Sequence, residues 1–170
     1  ILFTINRFLV FEGKKIDGCK IPVFFHFGGF KNGVVIVDRG DYTEKYDKDA
    51  YMIFVGGGDE KVKAATEEKA KKLGLADKVI FTGVRGDVPA IMGAMDIFVF
   101  PSVYEGLGIV LLEAQACGRP VISTNVPGCQ ETFEDGYSGL LCNFADKEDL
   151  YKKIEEFIKM PYEKKAKMGI

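Results

Sequence analysis

The sequence predicts an α/β fold, a Rossmann-like parallel sheet with helices on both faces. Three observations carry that expectation. Between residues 50 and 145, short apolar runs alternate with stretches of helical periodicity. The apolar runs are nearly continuous, as strands covered on both faces are. Glycine or proline sits where each pattern stops: Gly56, Gly74, Pro101, Gly118 and Pro120.

Each element follows from its residues. Ala50 to Val55 reads as a buried strand, closed by Gly56-Gly57-Gly58. Asp59 to Leu73 is polar, with apolar points at Val62, Ala65, Ala70 and Leu73 at helical spacing, and Gly74 is a helix stop. Val79 to Thr82 is a second strand. Asp87 can cap a short helix running to Met95, with Pro89 tolerated in its first turn. Asp96 to Phe100 is a third strand, Leu107 to Cys117 an apolar helix, Val121 to Thr124 a fourth strand and Gly139 to Cys142 a fifth. Sheets of this kind bind ligands at the carboxyl ends of their strands. That rule puts the loops after Val55, Thr82 and Phe100, and the loop around Asn125 to Gly128, on one rim.

Both ends of the chain read differently. In the first 50 residues, Ile1 to Ile5, Ile21 to Phe27 and Val34 to Val37 look like strands. The crossover helix that a parallel sheet needs is missing from the pattern, and Gly28-Gly29 and Asn32-Gly33 disfavour one. At the other end, Asp146 caps a helix whose face is Leu150, Ile154, Phe157 and Ile158. Pro161 interrupts it, and a second helical pattern is still running at Ile170. With no initiating Met, this leads to the expectation of a piece of a longer chain: one domain, 1–170, with 146–170 as C-terminal helices cut short.

Composition excludes several functions. Net charge is −2 and 47% of residues are apolar. No basic excess exists to neutralise a nucleic acid backbone. No apolar run is long enough to span a bilayer, and Ile1-Leu2-Phe3-Thr4 lacks the charged start of a signal peptide. The cysteines at 19, 117, 129 and 142 have neither metal-ligand nor redox spacing, and His26 is the single histidine. They read as reduced thiols of a cytoplasmic protein, with Cys117 a packing residue and Cys129 a loop thiol. No metal site and no resident cofactor is expected. Gly56-Gly57-Gly58 lacks the full dinucleotide fingerprint. The Lys-rich stretches 61–72 and 152–167 read as solvated helix faces.

One stretch stands apart: Pro101-Ser102-Val103-Tyr104-Glu105-Gly106-Leu107-Gly108-Ile109-Val110-Leu111-Leu112-Glu113-Ala114. It runs from a strand's carboxyl end straight into a helix. Gly106 and Gly108 remove side chains where the helix begins, so amides and helix dipole together suit a diphosphate. Glu105 precedes the helix and Glu113 lies inside it; eight residues at about 1.5 Å each separate them by ~12 Å in a regular helix. That span compares with hexose to ribose across a diphosphate, and carboxylates accept hydrogen bonds from hydroxyls. The bland alternative is a surface glutamate plus a solvent-facing helix glutamate. For Glu113 the apolar neighbours argue against it, because a carboxylate among them needs a partner.

Glu105 and Glu113 with seven residues between them, inside Pro-Ser-x-x-Glu-Gly-x-Gly and followed by Ala114 to Ile122, resemble the paired-glutamate motif of retaining GT-B-fold glycosyltransferases (glycosyltransferase family 4, "glycosyl transferases group 1"). Phe81 to Arg85, Ala94 to Phe100, Val126 to Glu131 and Asp135 to Gly139 match further motifs of that family in its order. The resemblance covers roughly 50–159 and leaves 1–50 poorly matched.

The resemblance implies the C-terminal, donor-binding half of an enzyme. That enzyme would move a hexose or N-acetylhexosamine from a nucleotide diphosphate sugar to a saccharide or lipid-linked acceptor, in polysaccharide or glycolipid biosynthesis. Glu113 would hold the ribose hydroxyls. Glu105 would contact the donor hexose as the catalytic-site carboxylate that positions it, and the backbone of Gly106, Leu107, Gly108 and Ile109 would hold sugar and phosphate. Val84 and Arg85 would border the base. Arg7 fits the family's diphosphate-binding Arg, although Asn6 replaces the usual Gly before it. Lys15 or Lys14 fits its Lys if a short insertion follows Phe8. The implied partners are the nucleotide sugar and a missing N-terminal acceptor domain. The implied location is the cytoplasm, free or peripheral at the cytoplasmic membrane. Two rival functions are a nucleotide-sugar epimerase of the same fold, which would call for an acid/base His near the sugar, and a non-catalytic nucleotide-sugar-binding module.

Overall fold

The computed structural model describes the backbone of five early strands: β1 (Arg7–Val10), β2 (Lys15–Ile16), β3 (Cys19–Lys20), β4 (Phe24–Phe27) and β5 (Val34–Asp38). It also describes residues 50–168 other than Leu73, with side chains from residue 51 onward. The chain divides into two compact units, Ile1–Gly86 and Asp87–Ile170.

In the first unit β1 pairs antiparallel with β4, and β2 with β3. β5 pairs antiparallel with β6 (Ala50–Phe54), which pairs in parallel with β7 (Val79–Phe81). The antiparallel pairing of β5 accords with the sequence, since antiparallel neighbours need no crossover helix and the residues before Ala50 offer no pattern for one. Between β6 and β7 runs α1 (Glu60–Lys72), which buries Val62, Thr66 and Ala70. Gly74 stops it at φ 68°, and the amide of Leu75 reaches back to the Ala70 carbonyl at 2.8 Å. Phe54 and Phe81 stack face to face with centroids 4.8 Å apart, locking the strand pair beneath its loops.

The second unit is a wholly parallel three-stranded set in the order β10 (Gly139–Cys142), β9 (Val121–Thr124), β8 (Ile97–Phe100). All four residues of β9 are buried, which is why its sequence shows no alternation. Helix α2 (Val88–Gly93) precedes β8 and α3 (Ile109–Ala116) follows it. Asp87 lies at the start of α2 but makes no side-chain capping bond. Helices α4 (Lys147–Lys159) and α5 (Tyr162–Met168) complete the unit. Asp146 caps α4 as expected, accepting from the Asp149 amide at 3.0 Å. The buried face of α4 is Leu150, Tyr151, Ile154 and Phe157, with Ile158 at its margin. Lys165 seats α5 by donating to the Ile158 carbonyl at 2.9 Å with its ammonium over the Phe157 ring. The architecture is Rossmann-like, parallel strand pairs with helices around them, as the sequence predicts. Among the described residues no helix is long and apolar enough to cross a membrane.

Cys117, Cys129 and Cys142 are free thiols. Burial, and then the negative charge of Asp149, push the Cys142 thiol from 9.0 up to about 12. The unfolded thiol loses its proton near 9.0 and the folded one only near 12, so thiolate formation favours unfolding across that window. The contribution of this group to stability is therefore whole below 9.0 and is lost as pH climbs toward 12. Denaturant titrations across that range should show stability falling more steeply in the parent than in Cys142→Ala; equal slopes would overturn the assignment.

Candidate active site

The site is built on the segment that leaves β8. Pro101 is buried and ends the strand, and the Ser102 amide turns back to the Phe100 carbonyl at 2.9 Å. Two hydroxyls from the neighbouring strand β9 then fix the path. Ser123 donates to the Phe100 carbonyl at 2.7 Å, and Thr124 donates to the Ser102 carbonyl in a very short contact. Ser123 and Thr124 are 0% and 3% exposed, so both hydroxyls are buried polar groups that need these partners. A second loop, between β9 and β10, backs the first. Gly128 adopts φ +81°, and a Cβ on it would strike the Glu105 carbonyl oxygen and lie 2.9 Å from the Gly106 oxygen. Its own carbonyl accepts from the Gly108 amide at 2.6 Å.

Helix α3 starts from this junction. Gly108 is its cap residue at φ −74°, which any residue can adopt. Crowding explains the glycine, since a Cβ there would lie 3.0 Å from Leu111 Cδ1 and 3.1 Å from the Gly128 oxygen. Gly106 is the opposite case, because a Cβ on it would meet nothing within 4 Å. The surface beside it is open. The amides of Gly106, Leu107 and Val110 have no backbone acceptor among the described residues. They are donors at the positive end of a helix dipole, which suits an anion. The far end of α3 is braced by Arg119, donating to the Met95 carbonyl at 2.7 Å, and by Gln115, donating to Leu111 and Thr132 carbonyls at 3.0 Å each.

Glu105 is half-buried, and its Oε1 accepts from the Ser102 hydroxyl at 2.9 Å. Cys129, completely buried, lies within reach of its charge. Burial pushes that thiol above its ordinary 9.0, a hydrogen bond with Ser123 opposes the shift, and the Glu105 carboxylate adds to it. Glu113 corrects the sequence argument made for it. It is exposed, on the side of α3 away from buried Leu111 and Ala114. Its apolar neighbours do not enclose it, for Ile109 is 58% and Leu112 42% exposed. No burial penalty therefore demands a partner for this carboxylate; it is available to a ligand from outside.

The remaining candidates divide. The second unit brings Glu105, Gly106, Leu107, Gly108, Ile109 and Glu113 together on one loop and helix. Val84 and Arg85 are exposed and close the first unit, where the Gly56 amide donates to the Gly83 carbonyl at 2.8 Å and Val84 lies over Gly57. Arg7 opens β1, whereas the resemblance expects it after a strand, and Lys15 opens β2; their side chains, Lys14 and His26's side chain lie outside the described residues. Among those residues no cluster of His, Cys, Asp or Glu could hold a metal ion. Sequence reasoning missed Ser102, Ser123 and Thr124. The one available signal was hydroxyls in an otherwise apolar strand, where each must find a partner.

Gly128→Ala should strain a left-handed backbone position at a cost of order 1–3 kcal/mol, and its methyl should also displace the Glu105–Gly106 carbonyls. A lowered Tm with retained secondary structure is expected by circular dichroism; an unchanged Tm would refute the contact.

Comparison with known proteins shows the family of the chain. The family described as "Glycosyl transferases group 1" matches residues 40–170. The Vi polysaccharide biosynthesis protein VipC/TviE of Salmonella typhi is 36% identical over 121 residues, 71% of this chain and 21% of that protein. The crystal structure of Anabaena Alr3699/HepE in complex with UDP and glucose superposes with a TM-score of 0.64 at 30% identity, covering 69% of this chain and 33% of that one. The C-terminal domain of a glycosyl transferase group 1 family protein (LpcC) from Francisella tularensis gives a TM-score of 0.58 at 28% identity, over 64% of this chain and 57% of that one. The chain thus spans a fifth to a third of the full-length relatives it matches. The family match over most of the sequence and the Rossmann-like fold shared with the solved relatives converge: the chain belongs to the glycosyl transferases group 1 family.

Proposed function

We propose that this chain is the donor-binding domain of a retaining glycosyltransferase, transferring a hexose or N-acetylhexosamine from a nucleotide diphosphate sugar to a saccharide or lipid-linked acceptor in surface polysaccharide or glycolipid synthesis. The observation that carries the reading is the junction of β8 and α3: free amides at Gly106, Leu107 and Val110, flanked by a half-buried Glu105 and an exposed Glu113. The diphosphate is placed on the amides, where the helix dipole favours it. Glu113 takes the ribose hydroxyls and Glu105 those of the hexose. The family resemblance would add Val84 and Arg85 at the base and Arg7 with Lys15 or Lys14 at the diphosphate. The donor is a substrate, and the reading assigns no metal or resident cofactor.

The chemistry follows from which bond breaks. As the bond from the sugar's anomeric carbon to the diphosphate oxygen lengthens, negative charge grows on the departing diphosphate. Donors fixed in advance stabilise that charge without reorganising. Glu105 orients the hexose and is not assigned as a nucleophile. Acceptor binding belongs to a further domain of a protein of the relatives' length, and with it the capacity to transfer; this chain's own capacity is donor binding.

Calorimetric titration with UDP-, GDP- and ADP-sugars tests the reading. Binding of at least one is expected, and a folded chain that binds none refutes it. Glu113→Ala should weaken nucleotide affinity by about 1–3 kcal/mol through lost ribose hydrogen bonds. Because Glu113 is exposed, its removal should leave Tm nearly unchanged. Unaltered affinity would remove the ribose from Glu113.

A further inference from the structure

We infer that Ser102 is the positioning residue for Glu105, and that it confers the preference for a sugar-bearing nucleotide over the bare nucleotide; this rests on the donor-site reading above. The Ser102 hydroxyl has one proton and two acceptors in range, Glu105 Oε1 at 2.9 Å and the Tyr104 carbonyl at 3.3 Å. The shorter bond goes to a carboxylate, and charge-assisted hydrogen bonds are about twice as strong as neutral ones. The proton therefore goes to Glu105. A carboxylate only accepts, so Oε1 is held by serine while Oε2 is left for a hydroxyl of the ligand.

What makes this more than a surface contact is the immobility of the donor. Ser102 is pinned at its amide by the Phe100 carbonyl at 2.9 Å and at its carbonyl by buried Thr124. On the other side the Gly128 backbone packs directly against the Glu105 carbonyl and is tied to the Gly108 amide at 2.6 Å. Serine hydroxyl and glutamate carboxylate thus face each other from two fixed points three residues apart. A free glutamate side chain has several rotamers, and fixing one before the ligand arrives removes an ordering cost from binding. The gain falls on contacts to the sugar. Contacts to the nucleotide, made by amides and by Glu113, do not pass through Ser102.

The test compares affinities for UDP-glucose and UDP, and for GDP-mannose and GDP, by calorimetry in the parent chain, Ser102→Ala, Ser102→Thr and Glu105→Gln. In whichever pair binds, Ser102→Ala should lose about tenfold in affinity for the nucleotide sugar (~1.4 kcal/mol) while affinity for the nucleotide stays within about twofold. Ser102→Thr, which keeps the hydroxyl, should restore the preference. Ser102→Ala in the Glu105→Gln background should cost less than in the parent, because the two act as a unit. If Ser102→Ala fails to fold, Ser102→Cys, similar in size with a weak donor, takes its place. An unchanged preference, an equal loss for sugar-bearing and bare nucleotide, or strict additivity with Glu105→Gln overturns the role of Ser102. If Glu105→Gln itself leaves the preference intact, the placement of the sugar on Glu105 falls and the role of Ser102 with it.

Discussion

The second unit depends on how two backbone carbonyls are satisfied. Phe100 is the last residue of β8, in register with Ser123, and Ser102 lies just beyond it in the loop. Ser123 and Thr124 donate side-chain hydrogen bonds to their carbonyls from β9. A valine in either place would keep the volume and the strand propensity. At 124 it would leave the Ser102 carbonyl without its side-chain donor, at a cost of about 1–3 kcal/mol, and at 123 it would take one of two donors from the Phe100 carbonyl. The hydroxyls thereby fix the exit direction, and Glu105, Gly106 and the first turn of α3 inherit it.

That geometry also explains a helix with so little burial. α3 buries Leu111 and Ala114, a narrow face for eight residues. Isolated helices of this length are marginal in water. Here the start is held by the Gly108 amide on Gly128, and the end by Arg119 and Gln115 on carbonyls of other segments. Polar anchors at both ends do what a broad apolar face does elsewhere. They leave the outer face, with Glu113, exposed, and the amides at its start uncommitted. A helix buried all round would have closed both off.

Much of this was legible in the sequence, and the reason differs by element. Strands β6 to β10 announce themselves as short, largely apolar runs between turn residues, and in β8 and β9 nearly every residue is buried, as in a strand covered on both faces. α4 was legible through Asp146 and its spaced apolar residues, since amphipathic helices record their core face in their period. The site segment could be found because glycines and acids before a helix are chemically unusual together. The antiparallel β5 was readable only by default, as a strand pattern without the helix that parallel pairing requires. Exposure was a different matter. Glu113 among apolar neighbours looked enclosed, yet sequence neighbours on a helix point in different directions. Which direction is open depends on the sheet the helix packs against.

The hydroxyl clamp was least legible of all, and the reason is general. Ser123 and Thr124 act across strands on carbonyls more than twenty residues earlier in the chain, and backbone carbonyls carry no residue identity. A motif records the side chains that meet a ligand. It does not record which peptide groups must be held for those side chains to stay in place. Gly128 belongs to the same hidden layer, its carbonyl fixed to Gly108 and its missing side chain to Glu105. The glutamates could be recognised one by one along the chain, whereas the path of the loop that carries Glu105 is a property of two strands and two loops acting together.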